Sequence, residues 1–164
     1  MVKSFVKIPK KVKILIVAHC APAKPDNYFY RTLDPKYSSG GNNSFFSGIM
    51  KAFGFLQLGQ KIINTKHEKK LLMCFLDAGY FLIDSHKKPS IVDVNLLKEI
   101  CTINPDRIIF LTKNNDQISQ IINQIFPKKI IKNGRSFCFP YPGNSHLNTL
   151  IKNLPQNIKS NKLC

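Results

Sequence analysis

Four short stretches of this chain group side chains that can hold an anion, stack on a flat ring or move a proton. The first, Ala18-His-Cys-Ala-Pro-Ala-Lys-Pro-Asp-Asn-Tyr-Phe-Tyr-Arg31, follows an apolar run. In it His19 or Asp26 can position or deprotonate a water. Tyr28, Phe29 or Tyr30 can stack on a planar base, and Arg31 can meet a phosphate. The second, Asp84-Ser-His-Lys-Lys-Pro89, sets a carboxylate beside an imidazole and two lysines. Asp84 there can hydrogen-bond a ligand or orient His86, while Lys87 and Lys88 hold a backbone phosphate. The third, Thr112 to Asn115, brings Lys113. The fourth, Tyr141-Pro-Gly-Asn-Ser-His146, makes a tight turn in which Asn144 or Ser145 can cap the helix that follows. A helix start of that kind favours an anion. Each stretch also has a plainer reading: aromatics plugging a sheet end, an exposed basic turn, an ordinary strand–helix connection.

These stretches converge only if the elements between them place them together. Lys10 to Ala18 is a basic lead-in followed by the continuous apolar run of a strand buried on both faces. Ser38 to Ser44 supplies a cap for a helix over Phe45 to Phe53, with Gly54 as its stop. A second helix is predicted over His67 to Asp77, then a strand over Tyr80 to Asp84 and a basic loop over Ser85 to Ser90. Val92 to Ile103 reads as helix, Arg107 to Thr112 as strand, and Asn115 to Phe126 as helix with Ile118, Ile121, Ile122 and Ile125 inward. Lys128 to Ile131 begins another extended segment. Phe137 to Phe139 is the fourth strand, and His146 to Leu154 the last helix.

Strands alternating with helices imply right-handed crossovers and a parallel sheet covered on both faces. The expected architecture is a three-layer α/β/α sandwich around a central, mainly parallel four-stranded sheet. One domain spans 1–154, and a polar, frayed tail spans 155–164. Ligands of such sheets sit beyond the carboxyl ends of the strands, which gathers the four stretches at one rim.

Composition narrows the partner. The 164 residues carry 25 basic and 9 acidic side chains, for a net charge of +16. Only Arg31, Arg107 and Arg135 are arginine, so part of the excess matches the codon bias of an AT-rich genome. A surface of this charge nonetheless attracts polyanions, and nucleic acid is the expected partner. No apolar run reaches the ~20 residues of a membrane span, and no signal peptide is expected. The cysteines Cys20, Cys74, Cys101, Cys138 and Cys164 contain no C-x-x-C pair. No metal or other cofactor is therefore expected, and reduced thiols in a cytoplasmic monomer fit best, with Cys74 and Cys138 as small buried hydrophobes. Neither a Walker loop nor G-x-G-x-x-G occurs.

In this order the features resemble the uracil-DNA glycosylase superfamily, over about Lys13 to Leu154. Ile16-Val-Ala-His-Cys-Ala-Pro22 stands where the family has its first-strand motif, which brings Cys20 and Pro22 to the substrate. Asp26 falls at the position of the family's acid, and Tyr28-Phe-Tyr30 supplies the aromatic that stacks on a flipped base. Gly79-Tyr-Phe-Leu-Ile-Asp84 resembles the segment presenting a base-reading polar residue, here Asp84. Arg107-Ile-Ile-Phe-Leu-Thr-Lys113 is similar to the third strand. Phe139-Pro-Tyr-Pro-Gly-Asn144 occupies the place of the H-P-S signature, with Tyr141 for the histidine and Gly143 for the serine.

The resemblance implies a DNA glycosylase-like hydrolase of DNA repair, with Asp26, His19 and Tyr141 catalytic. Cys20, Pro22, Tyr28, Phe29, Tyr30, Asp84 and Asn144 would bind the base. Arg31, Lys87, Lys88, Lys113, Gly143 and Ser145 would bind the strand. A nucleic-acid-binding module without the chemistry, or a binder of small nucleotides, fits the same cleft.

Overall fold

A computed structural model of the chain describes residues 6, 8–20, 27–33, 43–88, 91–92, 95–111, 117–142 and 145–160, without the side chains of 20, 86–88, 91–92 and 117. The elements run β1 (Ile14–Cys20), α1 (Ser44–Ala52), α2 (Thr65–Asp77), β2 (Tyr80–Lys88), β3 (Ile91–Val92), α3 (Leu96–Ile103), β4 (Arg107–Leu111), α4 (Gln117–Ile125), β5 (Cys138–Phe139) and α5 (Leu147–Asn153). The sheet order is β3-β2-β1-β4-β5, with β2, β1, β4 and β5 parallel and the short β3 antiparallel at one edge. It is the expected three-layer α/β/α sandwich.

Handedness explains the layers. The crossover from β1 to β2 steps one way along the sheet, and those from β2 to β4 and from β4 to β5 step the other way. Right-handed connections then put α1 and α2 on one face and α3 and α4 on the other. Two contacts agree. Tyr80 of β2 meets Phe53, Phe55 and Phe75 on the α1–α2 side. The Cys138 thiol of β5 donates to the Ser119 hydroxyl of α4, at 3.4 Å, on the other. The central strands β1 and β4 are apolar on both faces because both are covered: Leu15, Ile16, Val17 and Ile108 to Leu111 are wholly buried.

Side-chain caps start two of the helices. The Asn43 carboxamide accepts from the Phe46 N–H at 3.0 Å and opens α1, and Asn64 accepts from His67 N–H at 2.9 Å and opens α2. Gly54, at φ +84°, turns the chain out of α1 where a Cβ would also press on the Ser160 carbonyl oxygen.

Several expectations change. The segment Ser85 to Lys88 continues β2 rather than forming a loop, and β3 precedes α3, whose helix begins only at Leu96. Along that continuation of β2, β3 supplies a short antiparallel partner, with His86 opposite Val92 and Lys88 opposite Ile91. In α4 Ile118, Ser119 and Ile122 are buried, whereas Ile121 and Ile125 are half exposed. The stretch after α5 is not a frayed polar tail over its described part. Residues Gln156–Ile158 form a 3-10 turn, Ile158 is buried, the Tyr80 hydroxyl donates to the Ile158 carbonyl at 2.6 Å, and Ser160 N–H donates to Phe53. One apolar residue in a polar stretch is enough to dock it. Cys74 is disulfide-bonded, not a buried thiol, while Cys101 and Cys138 remain thiols. Apolar neighbours in sequence predict burial, but they do not say whether a second sulfur lies within reach. Among the described residues no helix is long and apolar enough to cross a membrane.

Candidate functional site

Register determines which side chains share a face at the carboxyl rim. Asp84 pairs with Ala18, Ala18 with Leu111, and Leu111 with Phe139. These four form one row across four strands. Asp84 is in phase with Tyr80, so the row lies on the α1–α2 face. Tyr141, two residues beyond Phe139, stays on that side and stacks on Phe45 of α1, with ring centroids 4.8 Å apart and planes 17° from parallel. Asp84 and Tyr141 therefore lie at opposite ends of one rim, about 14 Å apart at three interstrand spacings. That separation is too wide for both to touch one atom.

Asp84 is chemically the most distinctive group there. It is 9% exposed and makes no hydrogen bond to another described residue. Burial, with Glu99 adding to it, raises its pKa from 3.8 to about 6. Such a carboxyl changes charge near neutrality. As an acid it donates to a carbonyl oxygen, and as an anion it accepts from an N–H. The neighbouring Ala18 is the smallest side chain of the row.

His19 does not join Asp84. It follows Ala18 along β1, so its side chain projects from the opposite face, in phase with Ser85, whose hydroxyl donates to the His19 carbonyl at 2.8 Å. The His19 imidazole and the Asp84 carboxyl therefore leave the sheet on opposite faces.

The aromatic run after β1 is also reassigned. Tyr28, Phe29 and Tyr30 are 7%, 2% and 1% exposed. Phe29 packs edge-on between Tyr30, Phe45 and Phe75 and is tilted against Phe46. The Tyr30 hydroxyl donates to the Leu82 carbonyl at 3.0 Å and accepts from the Leu82 N–H at 2.7 Å. Those groups face away from β1, on the edge that β3 does not reach, so Tyr30 stands in for a missing strand. Desolvation lifts its phenol pKa well above the ordinary value. None of the three rings can stack on a base. Arg31 likewise cannot meet a phosphate: it is 1% exposed, with Nε and Nη2 donating to the two Glu68 oxygens at 2.9 and 2.6 Å.

Asp26, Pro22, Lys113, Gly143 and Asn144 lie outside the described residues, as do the side chains of Cys20, Lys87 and Lys88. Ser145 is exposed, and His146, the N-cap of α5, makes no side-chain cap hydrogen bond. Among the described residues no three His, Cys, Asp or Glu side chains cluster as metal ligands.

One feature of the rim was not anticipated. Beside Tyr141 lies a cleft of about 270 Å³ lined by Ser44, Ser47, Gly48, Lys51, Lys61, Ile62, Pro142 and Leu147. Its floor was visible in sequence as polar or small residues at i, i+3, i+4 and i+7 of α1, opposite the buried Phe46, Ile49 and Met50. No family model, curated protein or solved structure matches this chain.

Proposed function

We propose that this chain is a DNA-binding protein of the uracil-DNA glycosylase kind, an N-glycosidic hydrolase that takes a damaged or unusual base at its carboxyl rim. The observation that carries the reading is the row itself. A buried, near-neutral carboxyl stands at one end beside a small alanine, and a half-exposed aromatic pair stands at the other. A base in duplex cannot be attacked, so its nucleotide is first turned out, at a cost of a few kcal/mol. Asp84 then reads the edge of the base. Water attacks the sugar carbon, the carbon–nitrogen bond breaks, and the base leaves as an anion that takes up a proton; the sugar keeps the hydroxyl. Asp26, in the segment after β1, is the residue to position that water. At about 14 Å, Tyr141 serves a neighbouring nucleotide rather than the departing base.

The test is base release from oligonucleotides carrying uracil, hypoxanthine, xanthine or alkylated bases, read as alkali-sensitive strand breaks. Release from one lesion class, abolished in Asp84→Asn, is the expected result. The burial of Tyr28 to Tyr30 favours a second reading, a module that binds DNA without chemistry. Salt-sensitive DNA binding with no release from any lesion would establish it and remove the first.

A further inference from the structure

The cleft beside Tyr141 has a different character from the Asp84 end of the rim. Its floor is one polar stripe of α1: Ser44, Ser47, Gly48 and Lys51. One wall carries Lys61 and Ile62, and the other Pro142 and Leu147. Two hydroxyls and two ammonium groups thus line one hollow, with no carboxylate among its lining residues. Neither lysine forms an ion pair with a described residue. The cleft is also continuous with the aromatic stack, since Ser44 precedes Phe45 and Pro142 follows Tyr141. The wall at Pro142 comes this close because residue 48 is glycine; a Cβ there would overlap the Pro142 carbonyl oxygen.

Lysines that grip phosphate next to a half-exposed ring are the two components of a single-strand binding track. The hollow is too small for a whole base with its sugar and phosphate to be enclosed, but it accommodates a phosphodiester with its base left outside, against the ring. We propose that this cleft is a backbone subsite for single-stranded nucleic acid. In it Lys51 and Lys61 hold one phosphodiester, Ser44 and Ser47 donate hydroxyls to it, and Tyr141, backed by Phe45, stacks on the adjoining base. The inference rests on the reading that this rim receives nucleic acid, and it adds the strand state and the residues of the grip.

Fluorescence anisotropy with a labelled oligothymidylate of about a dozen nucleotides tests it, over a range of salt. Lys51→Gln/Lys61→Gln should weaken binding roughly ten-fold or more and flatten the salt slope by about 1.4, two single-strand contacts' worth. Tyr141→Ala should weaken it about five-fold or more. Lys98→Gln/Lys128→Gln, on the far face, removes the same charge and should change little. Equal losses from the two lysine pairs would overturn the subsite and leave diffuse attraction. Tighter binding of the matching duplex than of the single strand would overturn it as well. If the wild-type protein binds neither, the wider reading fails too, whereas intact binding in Lys51→Gln/Lys61→Gln removes the subsite alone.

Discussion

Two tyrosine-bearing turns at the carboxyl rim have opposite fates. Tyr28 to Arg31 is folded inward until every side chain is buried, whereas Tyr141 keeps 43% of its surface exposed on top of Phe45. Both are aromatic turns following a strand, and composition does not separate them. The difference is what each turn finds beside it. The first meets an open edge of β2 and a carboxylate on the first turn of α2, so a hydroxyl and a guanidinium can be buried with their hydrogen bonds made. The second meets α1 at Gly48, which lets the backbone in and leaves the ring outside. Aromatic residues near a cleft are binding residues only where no backbone edge or ion partner claims them.

That contrast can be broken at several points. The largest effect is expected from Glu68→Ala, which removes the carboxylate that the buried Arg31 guanidinium donates to through Nε and Nη2. Urea denaturation should show a loss of about 3–5 kcal/mol. A loss under 1 kcal/mol would mean that the first turn is not held as described.

Next is Asp84→Asn. Because the carboxyl titrates at about 6 when folded and 3.8 otherwise, the folded state holds the proton more tightly between those values. Its contribution is full below pH 4, is lost as pH rises through 6, and leaves ionised Asp84 costing roughly 2–3 kcal/mol at neutrality. The variant should therefore be more stable than wild type at pH 7 and lack this slope between pH 4 and 6. Parallel stability–pH curves would show that Asp84 is not buried in this way.

Tyr30→Phe should cost about 2 kcal/mol by stranding the N–H and carbonyl of Leu82, with hydrogen exchange at the Leu82 amide accelerating as the direct sign. The smallest change in stability, within about 0.5 kcal/mol, is expected from Tyr141→Phe. If that variant lost as much stability as Tyr30→Phe, the two turns would not differ as proposed.

Much of the fold was legible. The unbroken apolar runs at Ile14 to Ala18 and Arg107 to Leu111, the asparagine and serine cluster before Phe45, and Ala78-Gly79 mark strands, a cap and a stop by local chemistry alone. The extension of β2 through Lys88 was not legible, because a basic run reads as a loop unless its edge partner is known. Burial of Arg31 depends on Glu68, 37 residues away, and no local pattern links them. For the site, Asp84 and Tyr141 follow from the rule that ligands lie beyond strand ends. The opposite orientation of His19 follows only once the strand is seen to continue past Ala18. The stripe Ser44, Ser47, Gly48, Lys51 was readable from helical spacing, but its importance depends on Lys61 and Pro142, brought in from elsewhere.

The margins of the sheet have a consequence for the protein in concentrated solution. β3 and β5 are two residues each, and the outer backbone groups of β2 at Leu82 are taken by a phenol. An incoming strand from another molecule would find few consecutive backbone groups to zip against along these margins. Fibrillar growth from the native state is thereby discouraged, even in a chain whose interior is largely valine, isoleucine, leucine and phenylalanine.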